Sequence, residues 1–207
     1  MSKRQLWNDR YAGQELIWSA GPNELFASQV SGLQPGKALD VACGEGRNAI
    51  WLAEEGWDVT AIDFSDVGIK KASQIAEKRG VSLTWIAEDV STWNLPQEEY
   101  DLVAVLYLHT GEAERKLWLR NVLNTVKPSG TFIYIGHDPS NIASGVGGPQ
   151  DLALLPSVDE ITNTMEDFQI ESAKIIERPV LNEPGHGKEL KGIALDCLIR
   201  ATKIARD

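Results

Sequence analysis

The stretch Ala38-Leu39-Asp40-Val41-Ala42-Cys43-Gly44-Glu45-Gly46-Arg47-Asn48-Ala49 decides the fold. It opens as a short apolar run of strand length, passes through a glycine turn, and enters a helix whose Ala49, Ile50, Leu52 and Ala53 share one face. A strand that runs through glycines into a helix lets a ligand touch main chain, because no side chain stands in the way. Gly44, Gly46 and Ala49 fit the spacing GxGxxG/A, and Asp63 follows Gly44 at about the 20 residues expected of a carboxylate on a ribose diol.

The same alternation continues outward. Strands are predicted at Ala38 to Ala42, Asp58 to Ile62, Ser82 to Ala87, Asp101 to Tyr107, Gly130 to Gly136, Phe168 to Glu177 and Gly192 to Thr202, with helical periods between the earlier ones. Ile69, Ala72, Ile75 and Ala76 form the apolar face of the second helix, and Gly56 and Gly80 stand where helix C-caps belong. This is the pattern of an α/β fold with a parallel sheet. Only Pro179 to Lys191 separates the last two strands, too short for a helical crossover, so they are expected to pair antiparallel. Ahead of the first strand, residues 1–36 carry Trp7, Tyr11, Trp18 and Phe26 and are predicted to be a helical lid.

The chain has 207 residues, 43% hydrophobic, with 20 Lys+Arg against 30 Asp+Glu and a net charge of −10. That length and composition predict one globular domain, 1–207, with a full core, and exclude disordered and collagen-like classes. An acidic chain without a Lys/Arg cluster argues against a nucleic-acid partner. No apolar run approaches the roughly 20 residues of a membrane span, and Gln5 to Arg10 is polar where a signal peptide would be apolar. Cys43 and Cys197 lack the spacing of a disulfide framework or a metal site. A cytoplasmic monomer that meets a small molecule, without membrane or metal, is the expectation.

The glycine turn by itself also suits a nicotinamide dinucleotide. Its neighbours argue otherwise, since Asp40 at the strand end and Glu45 inside the turn would set two carboxylates against a pyrophosphate. The same charges attract an adenosyl ligand that carries an ammonium and a sulfonium, which is S-adenosylmethionine.

Leu39 to Asn48 resembles motif I of the class I S-adenosylmethionine-dependent methyltransferases. Val59-Thr60-Ala61-Ile62-Asp63-Phe64-Ser65 resembles the second motif, Ala87-Glu88-Asp89-Val90 the third, Tyr100 to Tyr107 the fourth, and Val126 to Thr131 the turn into the fifth strand. The resemblance implies a Rossmann-like, doubly wound sheet of seven strands in the order 3-2-1-4-5-7-6, the seventh antiparallel, with helices on both faces. It also implies cofactor contacts at Asp40, Ala42, Gly44, Gly46, Arg47 and Asn48 in the glycine turn, and at Asp63 on the ribose with Phe64 on the adenine. Asp89 and Val90 would lie by the adenine amino group and Leu106 at the end of the fourth strand. Trp7-Asn8-Asp9-Arg10-Tyr11 with Trp18 is similar to the thiopurine and tellurite-resistance methyltransferase branch, which implies that Trp7, Tyr11 and Trp18 close over the cofactor. In that branch the acceptor is a thiol, a heteroaromatic or a chalcogen oxyanion.

Other readings stay open. Arg47 is held by Asp40, by Glu45 or by the carboxylate of the ligand. His109, after the fourth strand, and His137-Asp138, after the fifth, are the candidates for a general base, with Asp138 orienting His137. His186 lies in the final loop, and Asn141 to Gln150 reads as a gating flap or a plain connection. An NAD-dependent dehydrogenase and a non-catalytic S-adenosylmethionine-binding module are the rivals.

Overall fold

The structure, a computed structural model, describes residues 2–13, 16, 20–181 and 191–205. Two helices, α1 (Lys3–Tyr11) and α2 (Glu24–Val30), precede β1 (Lys37–Val41). Then follow α3 (Arg47–Glu54), β2 (Asp58–Ile62), α4 (Asp66–Arg79), β3 (Thr84–Ile86), β4 (Tyr100–Leu106), α5 (Glu112–Thr125) and β5 (Val126–His137). The chain continues through α6 (Asn141–Ser144), α7 (Val158–Thr162), β6 (Phe168–Leu181) and β7 (Lys191–Lys203).

All seven strands form one sheet in the order β3-β2-β1-β4-β5-β7-β6. Strands β1 to β5 are parallel to one another, while β7 runs antiparallel to both β5 and β6. The sheet order and the antiparallel final pair are those expected.

Period-two alternation feeds two apolar layers. On β4, Val103 and Val105 pack with Trp118, Leu119 and Val122 of α5, whereas Leu102, Ala104 and Leu106 pack with Ala49 and Leu52 of α3 and Ile69 of α4. Local chemistry sets the helix ends. Ser65 caps α4 by accepting from the Gly68 amide, and Gly80 ends it in the left-handed conformation at φ 72°. The expected lid divides in two. Phe26 of α2 is fully buried in the core, so α2 is part of the scaffold, and α1 alone crosses the cavity described below.

Candidate active site

The glycine turn leaves β1 through three left-handed residues, Ala42 (φ 58°), Gly44 (φ 55°) and Gly46 (φ 77°). It is braced by Asp63 at the end of β2. One Asp63 oxygen accepts the Gly44 amide at 2.9 Å and the other the Ser65 amide at 2.8 Å. Burial pushes the Asp63 carboxyl up from its ordinary value, against the pull of those two amides.

Above this turn lies a cavity of about 700 Å³ at the carboxyl ends of the parallel strands. Ligands bind at that edge in open α/β sheets. Trp7, Tyr11, Ala42, Gly44, Arg47, Asn48, Asp63, Phe64, Asp89, Val90, Leu106, His109 and His137 all line it, so most of the expected site residues are brought together. Trp18 and His186 lie outside the described residues.

Helix α1 is tied across one side of the cavity. Asn8 donates to Asp66 at 2.8 Å and accepts from the Ser65 hydroxyl at 2.6 Å, and Lys3 pairs with Glu114 of α5. Trp7 and Tyr11 stack at 5.4 Å, with the Arg10 guanidinium over the Trp7 ring. A Cβ on Gly44 would stand 2.7 Å from the Tyr11 hydroxyl, so a side chain there would push the Tyr11 ring aside.

Three expected site residues turn away from the cavity. Asp40 is buried beneath the turn, where the Ala49 amide holds it, and burial drives its carboxyl up to about 7. Gly46 faces the scaffold, because a Cβ there would meet Trp85 at 2.7 Å and Ala72 at 2.9 Å. Asp138 follows His137 on a strand end, and successive side chains point to opposite faces. Its carboxylate takes the Ser140 amide at 2.9 Å and the Cys197 thiol at 3.2 Å, not His137. Glu45 is likewise turned aside into an ion pair with Lys71 at 2.7 Å. The charge attributed to Asp40 and Glu45 is therefore absent from the cavity wall, and Asp63 and Asp89 carry it instead.

What the sequence reading missed is the polar cluster on the far wall. Tyr107 leaves β4 in a left-handed conformation (φ 54°) and donates its hydroxyl to Asp196 of β7 at 2.7 Å. The Arg178 guanidinium of β6 binds the same oxygen at 2.7 Å and lies over the Tyr107 ring. His137 places Nδ1 2.9 Å from the other Asp196 oxygen, and the His109 ring stacks on His137 at 5.4 Å. Burial alone would raise the Asp196 carboxyl, but His137 and Arg178 outweigh it and bring it down to about 2. Burial, and then His137, lower His109 to about 3 and keep that ring neutral. The available signal was an acid inside an apolar strand, Ile193-Ala194-Leu195-Asp196-Cys197-Leu198.

The loop read as a flap is pinned rather than free. The Asn141 side chain donates to the Gly147 carbonyl at 3.0 Å and accepts the Leu195 amide at 2.8 Å, and the Val146 amide donates to Ile193 at 3.0 Å. Gly148 and Pro149 thereby become cavity wall. Among the described residues no group of side chains has the makings of a metal site, and no helix is long and apolar enough to cross a membrane.

The profile of a family described as a methyltransferase domain matches residues 38–130. That span holds the glycine turn, Asp63, Phe64, Asp89 and Val90, the residues that converge on the cavity. Over that span the chain carries a methyltransferase domain. Among similar proteins, the probable methyltransferase TehB of Haemophilus influenzae is 34% identical over 71 residues, 34% of this chain and about a quarter (24%) of that protein. The solved TehB structure superposes on 98% of this chain and 67% of its own at a TM-score of 0.71 and 17% identity. Thiocyanate methyltransferase 1 of Arabidopsis thaliana is 24% identical over 193 residues, covering 90% of this chain and 82% of its own. A protein solved in work on the conversion of a disulfide bond into a thioacetal group during echinomycin biosynthesis superposes on all of this chain and 95% of its own. Its TM-score is 0.77, at 20% identity.

Proposed function

We propose that the chain transfers a methyl group from S-adenosylmethionine to a small-molecule acceptor in the cytoplasm. The observation that carries the reading is the meeting of Asp63, Phe64, Asp89 and Val90 with the Gly44 turn at one cavity wall. The cavity volume of about 700 Å³ suits an adenosyl ligand and a small acceptor together. Asp63 would take the ribose hydroxyls on the free lone pairs of its carboxylate, Phe64 would pack on the adenine, and Asp89 would face the adenine amino group. Trp7 and Tyr11 would exclude water from the same end. When bound, the cofactor supplies a methyl group on a positively charged sulfur, open to in-line displacement.

The chain contributes position more than reactivity. Holding two partners in attack geometry is worth on the order of 7–11 kcal/mol. The acceptor would occupy the wall of Tyr107, His109, His137 and Arg178, the part of the cavity that the cofactor residues leave. The relatives differ in what their names say they methylate, thiocyanate in one and a ubiquinone precursor oxygen in another, so the likeness supports only a small acceptor.

A dinucleotide is disfavoured by the Asp63 brace. The Gly44 amide, a natural donor to a pyrophosphate, is already given to a carboxylate that a diphosphate would have to approach. Calorimetric titration with S-adenosylmethionine, S-adenosylhomocysteine and NAD tests the reading. Binding of the first two and silence with NAD is expected, and binding of NAD alone would overturn it.

A further inference from the structure

Behind the acceptor end of the cavity one guanidinium gathers three stretches of chain. Arg115 of α5 is buried, 3% exposed. Its Nε and one terminal nitrogen meet the two oxygens of Glu160 on α7 at 2.8 and 3.1 Å, a bidentate pair. The other terminal nitrogen donates to the Thr110 carbonyl, just ahead of α5, and at 3.5 Å to the Leu154 carbonyl, in the segment leading to α7. The Thr110 hydroxyl accepts the Trp118 indole N–H at 2.8 Å. Thr110, Leu154 and Trp118 line the cavity beside His109, and Arg115 stands behind them. Residues 107–111, which carry His109 and Thr110, belong to no helix or strand, so no regular ladder of main-chain bonds places them.

A buried ion pair is a poor source of stability, because the cost of desolvating both charges cancels most of their attraction and apolar residues often serve as well. What Arg115 supplies is geometry. A planar guanidinium presents five N–H groups at fixed angles, so it can meet a carboxylate edge and two carbonyls at once, which an ammonium cannot. Resting on the methyltransferase reading, we propose that Arg115 is the positioning residue of the acceptor end, with Glu160 holding it in place. Through Thr110 and Leu154 it sets the distance between two walls of the pocket that admits the acceptor, and so decides which acceptors fit. It touches neither acceptor nor cofactor. The glycine turn has its own brace, Asp63 on the Gly44 and Ser65 amides, so the two ends of the cavity are set separately.

Spectra and turnover of the full chain test this. In protein labelled with nitrogen-15, the Trp118 indole and His109 ring signals, assigned with Trp118→Phe and His109→Gln, report the acceptor wall, and the Gly44 amide reports the glycine turn. Arg115→Lys should move the first two and leave the third, with affinity for S-adenosylhomocysteine unchanged. Signals that stay in place in a folded Arg115→Lys, or that move at both ends alike, would overturn the proposal. Should Arg115→Lys not fold, Glu160→Gln keeps one accepting oxygen and Glu160→Ala keeps none, so the wall signals should move little in the first and far in the second. Equal movement in the two would count against it. Thiophenol, catechol and potassium thiocyanate serve as probe acceptors for turnover. For a probe that reacts, kcat/KM should fall about 10- to 100-fold in Arg115→Lys, most of it through KM. A fall confined to kcat would overturn the proposal, and the spectra decide where no probe reacts. Failure of the unsubstituted protein to bind S-adenosylhomocysteine would sink the methyltransferase reading and leave the spectral result standing.

Discussion

His137 and Asp196 face one another in the antiparallel register of β5 and β7, which puts Nδ1 of the one 2.9 Å from a carboxylate oxygen of the other. The pairing has a stability consequence with a definite sign. Because the folded Asp196 carboxyl titrates at about 2, below the ordinary 3.8, its contribution is present above pH 4 and lost as pH falls through 2. Urea unfolding followed from pH 5 to pH 2 should show the unsubstituted protein losing about 2 kcal/mol more than Asp196→Asn. Equal losses would mean that the pair does not form in solution.

Asp40 behaves in the opposite sense. Its folded carboxyl is raised to about 7, so its stabilising influence holds below pH 4 and is lost as pH rises through 7. Asp40→Asn keeps an acceptor for the Ala49 amide and removes the buried charge. The variant should match the unsubstituted protein near pH 4 and exceed it by about 2–4 kcal/mol at pH 8. Since Asp40 is off the cavity wall, binding of S-adenosylhomocysteine should be retained, and its loss would restore Asp40 to the ligand site.

Asp63 is the carboxylate whose removal should abolish binding. Asp63→Ala leaves the Gly44 and Ser65 amides without acceptors and takes away the proposed ribose partner. Calorimetry should show affinity for S-adenosylmethionine lowered by at least about 100-fold, the equivalent of two lost hydrogen bonds. Unchanged affinity would show that the ligand is held elsewhere.

Gly46→Ala separates scaffold from ligand. The new methyl group would press on Trp85 and Ala72 in a left-handed backbone conformation. Overpacking and the backbone strain together cost about 2–4 kcal/mol, a thermal midpoint lower by roughly 5–15 °C for a chain of this size. A stable variant that no longer bound S-adenosylmethionine would put Gly46 back at the ligand.

Asn141→Ala should free the loop that carries Gly148 and Pro149 to the wall, because its two side-chain anchors go together. Limited proteolysis should cut within 142–150 faster than in the unsubstituted chain. For whatever acceptor the chain uses, KM should rise while S-adenosylhomocysteine affinity stays the same. A loop equally resistant to protease would show that the Val146 to Ile193 bond suffices.

The sequence by itself determined the sheet and one wall of the cavity. Short apolar runs, helical periods and the brevity of the last connection are local signals, and they sufficed for the α/β class and the antiparallel final pair, while the strand order followed from the resemblance of the motifs to a known family. The glycine turn and Asp63 were legible from their spacing, and Phe64 and Asp89 from the resemblance of their motifs; all four lie at strand ends on the cavity. Only the tertiary structure decided which acids line the cavity and which histidine lies beside an acid. Asp40, Glu45 and Asp138 carry the expected charge at the expected place in the chain, yet the Ala49 amide, Lys71 and the Ser140 amide turn each of them aside. His137 finds Asp196, 59 positions away, through the register of two strands. Register is set by which faces the two strands bury against the core, and a one-residue slip would carry Asp196 to the other side of the sheet.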